Sequence, residues 1–327
     1  MPVTSIDKDV QSLTLTVHAE FPVSVARLWD AYLDPRQIEK FWGPVEYPAT
    51  FTRHDAAAGG YSNYHMTSPE GEQFHGYWHW QEVVDQKFFE VIDGFAHNDG
   101  SPNAKLPTSR LVFTFDPLPE GTKLTVTGTY DSAADLEQVV AMGMIDGTRS
   151  AMSQIEQVLI DLRDYAQNFA TEAELLNDTQ VRVSRLVRGI RQQVWDAHHD
   201  PELVKRWQYG PDGWKMTKCE LAPGVGESYL LWWTPDDSSK GFGFSGKILE
   251  RVEGHYEAST EQLEGGEEML GSGVPGSVNQ LTFTSTTGGT LVTTLITYRD
   301  KAARDAMLAT GMADGMEASY ARLESIL

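Results

Sequence analysis

The densest collection of chemically capable side chains is Phe74-His75-Gly76-Tyr77-Trp78-His79-Trp80, preceded by Tyr64-His65-Met66 and by His54. On an extended strand His75, Tyr77 and His79 share one face, and Phe74, Gly76, Trp78 and Trp80 share the other. Alternate histidines can ligate zinc or act as general bases. A zinc site wants three or four ligands in a closed set, and His54, His65 and His97 add no HxxxH or CxxC spacing. The matching strand of the second half, Phe242-Gly243-Phe244-Ser245-Gly246, has no histidine at all. The expectation is that no metal and no cofactor is held, with the histidines exposed or hydrogen-bonded on an aromatic sheet. A general base drawn from His75, His79 or Tyr64 is the catalytic alternative.

Other candidates carry less. Cys219 has only Lys215 and Lys218 nearby and reads as an inert small residue. Gly265-Gly266 and Gly271-Ser272-Gly273-Val274-Pro275-Gly276 lack the Gly-Lys-Ser/Thr ending of a phosphate loop and read as a mobile loop. Asp146 and Asp314 recur at matching positions and are expected as exposed helical carboxylates. Met142, Met144 and Met152, with Met307, Met312 and Met316, suit an adaptable apolar pocket and core filling equally well. Arg182, Arg185, Arg188 and Arg191 fall at every third position, so on an alternating strand they cannot share a face. They read as scattered surface arginines.

The elements that must position these residues are legible from periodicity. Leu13–His18 alternates as a half-buried strand, and Val25–Leu33 is an amphipathic helix stopped by Asp34-Pro35. Strands follow at Thr50–His54, Tyr61–Thr67, Gln73–Val84, Lys87–Ile92, Arg110–Phe115 and Leu124–Tyr130, with breaks of hairpin length. A single long helix is expected from Ala133 to about Arg163. Its glycines, Gly143 and Gly147, are expected either to allow close approach to the sheet or to leave space beside it.

The whole pattern then repeats. Trp29-Asp30-Ala31 recurs as Trp195-Asp196-Ala197, Asp34-Pro35 as Asp200-Pro201, and Lys40-x-Trp42 as Lys205-x-Trp207. Leu111-x-Phe113-Thr114 matches Leu281-x-Phe283-Thr284, and Gly121-Thr122 with Tyr130 matches Gly289-Thr290 with Tyr298. Ala141-x-Gly143-Met144-x-Asp146-Gly147 returns as Ala309-x-Gly311-Met312-x-Asp314-Gly315. Strands run together and helices sit at the ends, which is α+β and excludes an alternating dinucleotide-binding fold. The expected division is a first domain at 1–165, a linker at 166–179 and a second domain at 180–327.

Composition bounds the function. The 327 residues carry a net charge of −21, with 26 basic against 47 acidic side chains and one cysteine. A disulfide scaffold is excluded, and a reducing, cytoplasmic setting is expected. Phosphate backbones and anionic membranes are repelled at long range, so no nucleic-acid partner is expected. No basic, apolar leader and no run of eighteen apolar residues is present, so no membrane partner is expected either.

Several of these motifs together resemble a known family. Pro22-x-x-x-Ala26-x-Leu28-Trp29-Asp30-Ala31, Pro35 to Phe41-Trp42-Gly43, Asp55-x-x-x-Gly59-Gly60-x-x-x-Tyr64 and Gly143-Met144-x-x-Gly147 stand in the order found in the SRPBCC, or START-like, helix-grip superfamily. Within it, each repeat is most similar to the bacterial branch related to the activator of heat-shock-protein-90 ATPase. The usual Trp of the final helix is Met144 and Met312, and the second copy has Gly224-Val225-Gly226 for the paired glycines and Arg206 for Phe41.

The resemblance implies two tandem helix-grip domains, each a curved antiparallel sheet around a long C-terminal helix. It also implies binding of a hydrophobic or aromatic small molecule between sheet and helix, with a cyclase- or hydratase-type enzyme as alternative and a chaperone contact as a further one. A non-enzymatic role is favoured. The candidate lining residues are Trp42, Tyr64, Met66, Trp78, Trp80, Met142 and Ile145 in the first copy. Those of the second are Trp207, Tyr229, Trp233, Phe244, Met312 and Met316.

Overall fold

In the first half, alternating apolar residues build one antiparallel sheet of eight strands. Its strands are β1 (Val3–Asp9), β2 (Thr14–Phe21), β3 (Ala49–His54), β4 (Tyr61–Thr67), β5 (Gln73–Val84), β6 (Phe88–Phe95), β7 (Thr108–Leu118) and β8 (Gly121–Tyr130). They lie in the order β1-β2-β8-β7-β6-β5-β4-β3. Two helices, α1 (Val25–Leu33) and α2 (Pro35–Ile38), cross between β2 and β3, and α3 (Ala133–Ala141) and α4 (Met144–Asp161) close the half. The computed structural model describes residues 2–161, 168–208, 210, 213–236, 241–265 and 276–327. The chain divides into two compact units, Met1–Ala166 and Gln167–Leu327.

The second unit repeats the plan. Its strands are β9 (Glu172–Leu175), β10 (Gln180–Val187), β11 (Trp214–Glu220), β12 (Ser228–Pro235), β13 (Phe242–Val252), β14 (Tyr256–Gly265), β15 (Ser277–Thr286) and β16 (Gly289–Tyr298). Its helices are α5 (Arg191–His199), α6 (Pro201–Trp207), α7 (Lys301–Leu308) and α8 (Met312–Glu324). The strand order is the same, β9-β10-β16-β15-β14-β13-β12-β11. Each unit is therefore α+β, with an antiparallel sheet and its helices on the face that carries the core.

The recurring dipeptides have local physical jobs. Asp34 and Asp200 cap α2 and α6: Asp34 Oδ1 accepts from Arg36 N at 3.0 Å, and Asp200 Oδ1 from Glu202 N at 2.8 Å. The proline that follows each suits the first helical turn. Thr122 and Thr290 clasp the chain entering the first helix of their unit, donating to Val23 O at 2.7 Å and Gly189 O at 2.8 Å. The first core is aromatic, with Trp29, Tyr32, Phe41, Phe89, Phe113 and Phe115 all buried, and Met152, Ile155 and Leu159 of α4 packed onto it.

Several expectations need correction. The long helix is two helices, because Gly143 (φ +88°) and Gly311 (φ +77°) adopt the left-handed conformation between α3 and α4 and between α7 and α8. Neither they nor Gly147 and Gly315 are packed on the sheet: the nearest atom to an added Cβ at Gly147 is Pro44 Cγ at 3.7 Å, and Gly143 and Gly315 face nothing within 4 Å. Part of the expected linker is the edge strand β9, and β1 is its counterpart in the first unit. Both are too short or too polar to show alternation.

The repeat register also shifts. Ser109 pairs with Tyr130 as Ser277 pairs with Tyr298, so Leu111 corresponds to Asn279 and Phe113 to Leu281, two residues away from the motif match. A slip of two keeps every side chain on its face, so polarity alone cannot detect it. Arg182 and Arg185 are not surface residues. They are 2% and 3% exposed, and they pair with Glu174 and with Glu317 and Glu324, respectively. The loop read at Gly271–Gly276 lies, except for its last residue, outside the described residues.

Candidate functional site

The site is built from the core-facing side of β4 to β8. On β4 and β5, large and small side chains interlock across the ladder: Tyr64 lies over Gly76, and Trp78 stands opposite Ser62. A Cβ at Gly76 would come within 2.4 Å of Tyr64 Cζ, so glycine is what lets the phenol ring cross the neighbouring strand. That crossing carries the Tyr64 hydroxyl to Asp93 on β6, where it donates to Oδ1 at 3.4 Å. Trp78 Nε1 donates to the same oxygen at 2.9 Å. Ser109 pairs with Asp93 on β7 and Tyr130 with Ser109 on β8, completing a polar row across the sheet.

Two pieces of chain frame this row. Trp42, in the turn after α2, stands edge-on to Trp78 with ring centroids 4.6 Å apart. Its buried Nε1 is directed at the Tyr64 hydroxyl without reaching hydrogen-bond geometry. From the other side the first turn of α4 brings Met144, whose sulfur accepts from Tyr130 Oη at 3.1 Å, and the half-buried Ile145. Gly143 O and Gly147 N close that turn, and Gln154 Nε2 ties α4 to Gly43 O at 2.8 Å.

Electrostatics single out Asp93. Burial pushes its carboxyl up to about 6, against the hydrogen bonds from Trp78, Tyr64 and Ser109, which favour the ionised form. Tyr64 and Tyr130 are raised above the usual phenol range, by burial first and by the negative Asp93 second. Asp93 is partly exposed, and among the described residues it makes no ion pair.

The second unit keeps the row and changes its walls. Gly59 N donates to Trp80 O and Gly226 N to Ile248 O, which equates Trp78 with Gly246 and Ser62 with Tyr229. The large partner has moved to the other strand: Tyr229 now lies over Gly246 and donates to Thr260 O at 3.0 Å. In the polar row Glu261 pairs with Ser277 and Ser277 with Tyr298, the counterparts of Asp93, Ser109 and Tyr130. Tyr298 Oη points at Met312 Sδ, 3.7 Å away, as Tyr130 does at Met144. Burial raises the Glu261 carboxyl, offset in part by Asn279.

Of the expected lining residues, Tyr64 and Trp78 bond Asp93 and Trp42 packs on both, whereas Met66 packs against the first core and Ile145 against the cluster of Leu15, Tyr130, Leu136 and Val139. Met142 is turned to solvent: it caps α3 and is 53% exposed. Trp80 lies deeper, fully buried, with Nε1 donating to Ser62 Oγ at 2.8 Å. Tyr229, Trp233 and Phe244 share the core-facing side of their sheet, and Met312 and Met316 face it from α8. Trp207 is instead a core residue, with Nε1 bonded to Ala197 O at 2.8 Å and its ring stacked on Tyr320.

The histidines are placed otherwise than a pocket base would need. His75 and His79 occupy the face of β5 opposite Trp78, where His75 meets His65 at 5.5 Å and His79 stacks on Tyr61 at 4.4 Å. His54 is on the core side, but its ring is engaged. Its Nε2 donates to Tyr32 O at 3.0 Å, so Nδ1 accepts from Ser62 Oγ at 2.9 Å, and Ser62 in turn accepts from Trp80. Ser62→Ala removes the acceptor of Trp80 Nε1 and the donor to His54 Nδ1. It is expected to cost about 1–2 kcal/mol in urea denaturation, and an unchanged midpoint would refute this chain of hydrogen bonds.

Among the described residues no three metal-ligating side chains converge. Burial pushes the Cys219 thiol up, away from a thiolate. Asp146 and Asp314 are exposed in the first turns of α4 and α8, where they complement the helix dipole. Sequence reasoning missed Asp93, Ser109 and Glu261. The signal was present: the spacing of Asp93, Ser109 and Tyr130 is the spacing of Glu261, Ser277 and Tyr298.

Each unit is similar to known proteins. A family model described as Activator of Hsp90 ATPase homolog 1-like protein matches residues 22–160 and again 190–327. A crystal structure of a Mycobacterium smegmatis protein is 47% identical over 48% of this chain and 97% of its own, with a TM-score of 0.46. A solution structure of a protein from Arthrobacter aurescens is 37% identical over 49% of this chain and 92% of its own, with a TM-score of 0.47. No curated protein matches. No helix among the described residues is long and apolar enough to cross a membrane. With both sheets, both helix pairs and both family matches in place, the chain belongs to the Activator of Hsp90 ATPase homolog 1-like family and carries two tandem copies of its domain.

Proposed function

We propose that each unit binds a hydrophobic or aromatic small molecule between its sheet and the first turns of its last helix. The observation that supports this reading is a polar row with half-buried Trp42 beside Tyr64 and Trp78 at one end and half-buried Met144 beside Tyr130 at the other, whose Asp93 carboxyl has hydrogen-bond donors but no counter-charge among the described residues. Apolar walls would supply most of the affinity, at about 25 cal/mol per Å² removed from water, and the polar row would set orientation. A histidine-based enzyme is disfavoured because His75 and His79 face away from these walls.

Native mass spectrometry and calorimetric titration of the full chain with a panel of lipophilic aromatics test the proposal. Saturable binding is expected. Ile145→Asp is expected to weaken binding at the first unit about tenfold, since it places a charge on the apolar wall. An acidic residue in the first turn suits α4, so the helix should persist. Absence of any bound species across the panel, or full affinity in the variant, would count against the reading.

A further inference from the structure

The two units agree at some positions and differ at their neighbours. Between them Trp78 becomes Gly246, Tyr64 becomes Leu231 and Leu111 becomes Asn279, yet an acid, a serine and a tyrosine stay in register: Asp93, Ser109 and Tyr130, then Glu261, Ser277 and Tyr298. Asn279, which stands where the first unit has Leu111, replaces the Trp78 donor at Glu261. The acid is thus kept and lengthened, with a neutral hydrogen-bond donor supplied anew and no counter-charge among the described residues, although a buried carboxylate is destabilising.

Among the described residues neither carboxylate has a lysine, arginine or histidine as ion-pair partner. The side chains that interact with Asp93 are neutral donors or aromatic rings: Trp78, Tyr64, Ser109, Tyr77 and Tyr130. The hydrogen bonds from Tyr64 and Trp78 converge on Oδ1. Half-buried Trp42 stands edge-on to Trp78 and Tyr64 beside this carboxyl, and an aromatic face attracts cations. An alcohol or amide would bring one more neutral donor. A protonated amine brings the charge that the site lacks, and a charge-assisted bond is about twice as strong as a neutral one.

Resting on the binding role proposed above, we propose that each unit is selective for an amphipathic amine: the ammonium group pairs with Asp93 in the first unit and with Glu261 in the second. The apolar body lies against Met144 and Ile145, or against Met312 and Met316. An organic anion of the same shape would meet a carboxylate head-on and be rejected.

The test uses the full chain and three probes of one shape: phenethylamine, phenethyl alcohol and hydrocinnamate. Calorimetric titration at neutral pH is expected to show phenethylamine binding about tenfold more tightly than the alcohol, at two sites per chain, with hydrocinnamate weakest. Asp93→Asn and Glu261→Gln, which keep an acceptor and the side-chain shape, should each remove the amine preference at one site, and the double variant should remove it at both. Circular dichroism on each variant confirms that the fold is retained. Equal binding of amine and alcohol, or an amine preference that survives in the double variant, overturns the inference while leaving the binding role intact. Binding of uncharged aromatics from the wider panel without binding of phenethylamine overturns it in the same way. If none of the probes or panel compounds binds, the binding role falls with it.

Discussion

Replacing Asp93 with asparagine is expected to stabilise the first unit at pH 7 by about 2 kcal/mol. The folded carboxyl titrates near 6, above the ordinary 3.8, because burial disfavours its charge. Between pH 4 and pH 6 the folded chain therefore holds a proton that the unfolded chain has released. The contribution of Asp93 to stability is greatest below pH 4, declines as pH rises through 6, and stays low at neutrality. The rise from 3.8 to about 6 corresponds to about 3 kcal/mol, reduced here because Asp93 keeps partial contact with solvent. Asparagine keeps an oxygen for Trp78 and Tyr64 and abolishes the charge. Urea denaturation at pH 4.5 and pH 7 should show a gap between variant and parent about three times larger at the higher pH. A variant less stable than the parent at pH 7 would contradict the assignment. A residue retained against stability, at matching positions of two units, is what a ligand-binding group looks like energetically.

The second large effect has the opposite sign. Acidification from pH 7 to pH 4 is expected to remove about 3 kcal/mol from the second unit through His198. This imidazole stands where the first unit has Tyr32, among the rings of Trp207, Phe283 and Tyr320. Its Nδ1 donates to Val194 O at 2.7 Å, and its buried Nε2 has no partner. Burial lowers it from 6.5 to about 4, with the Val194 carbonyl opposing that shift. The folded state refuses a proton that the unfolded chain accepts below 6.5, so stability is intact above 6.5 and falls as pH drops toward 4. His198→Phe should flatten the profile in this window, leaving the slope that carboxylates impose on both proteins. Proton NMR should place the titration midpoint near 4; a midpoint at or above 6 would refute the burial argument.

Much of the fold was legible in the residues because its determinants are local. Period-two alternation marked the strands, Asp34-Pro35 and Asp200-Pro201 marked helix starts, and the repeated motifs marked the duplication. Errors arose where a local signal is degenerate. Gly143 inside an apolar stripe reads as a helical residue until its positive φ is seen. The slip of Leu111 against Asn279 preserves facing, and β1 and β9 owe their strand conformation to a neighbour rather than to their own composition.

The candidate site divides along the same line. The sequence by itself determined that Gly76, Trp78 and Trp80 share one face of β5 and His75, Tyr77 and His79 the other, because alternation fixes which residues of a strand share a face. It also determined that the domain occurs twice. Only the tertiary structure decided that the Trp78 face of β5 is the one turned to the core, that Met142 is turned to solvent, and that Trp207 is core. Only the pairing of β7 with β6 and β8, and of β15 with β14 and β16, assembled Asp93, Ser109 and Tyr130, and likewise Glu261, Ser277 and Tyr298. Facing is set by a period of two within one strand, whereas adjacency across strands is set by register. Register follows from hairpin geometry and bulges summed along the whole sheet, which no single segment encodes.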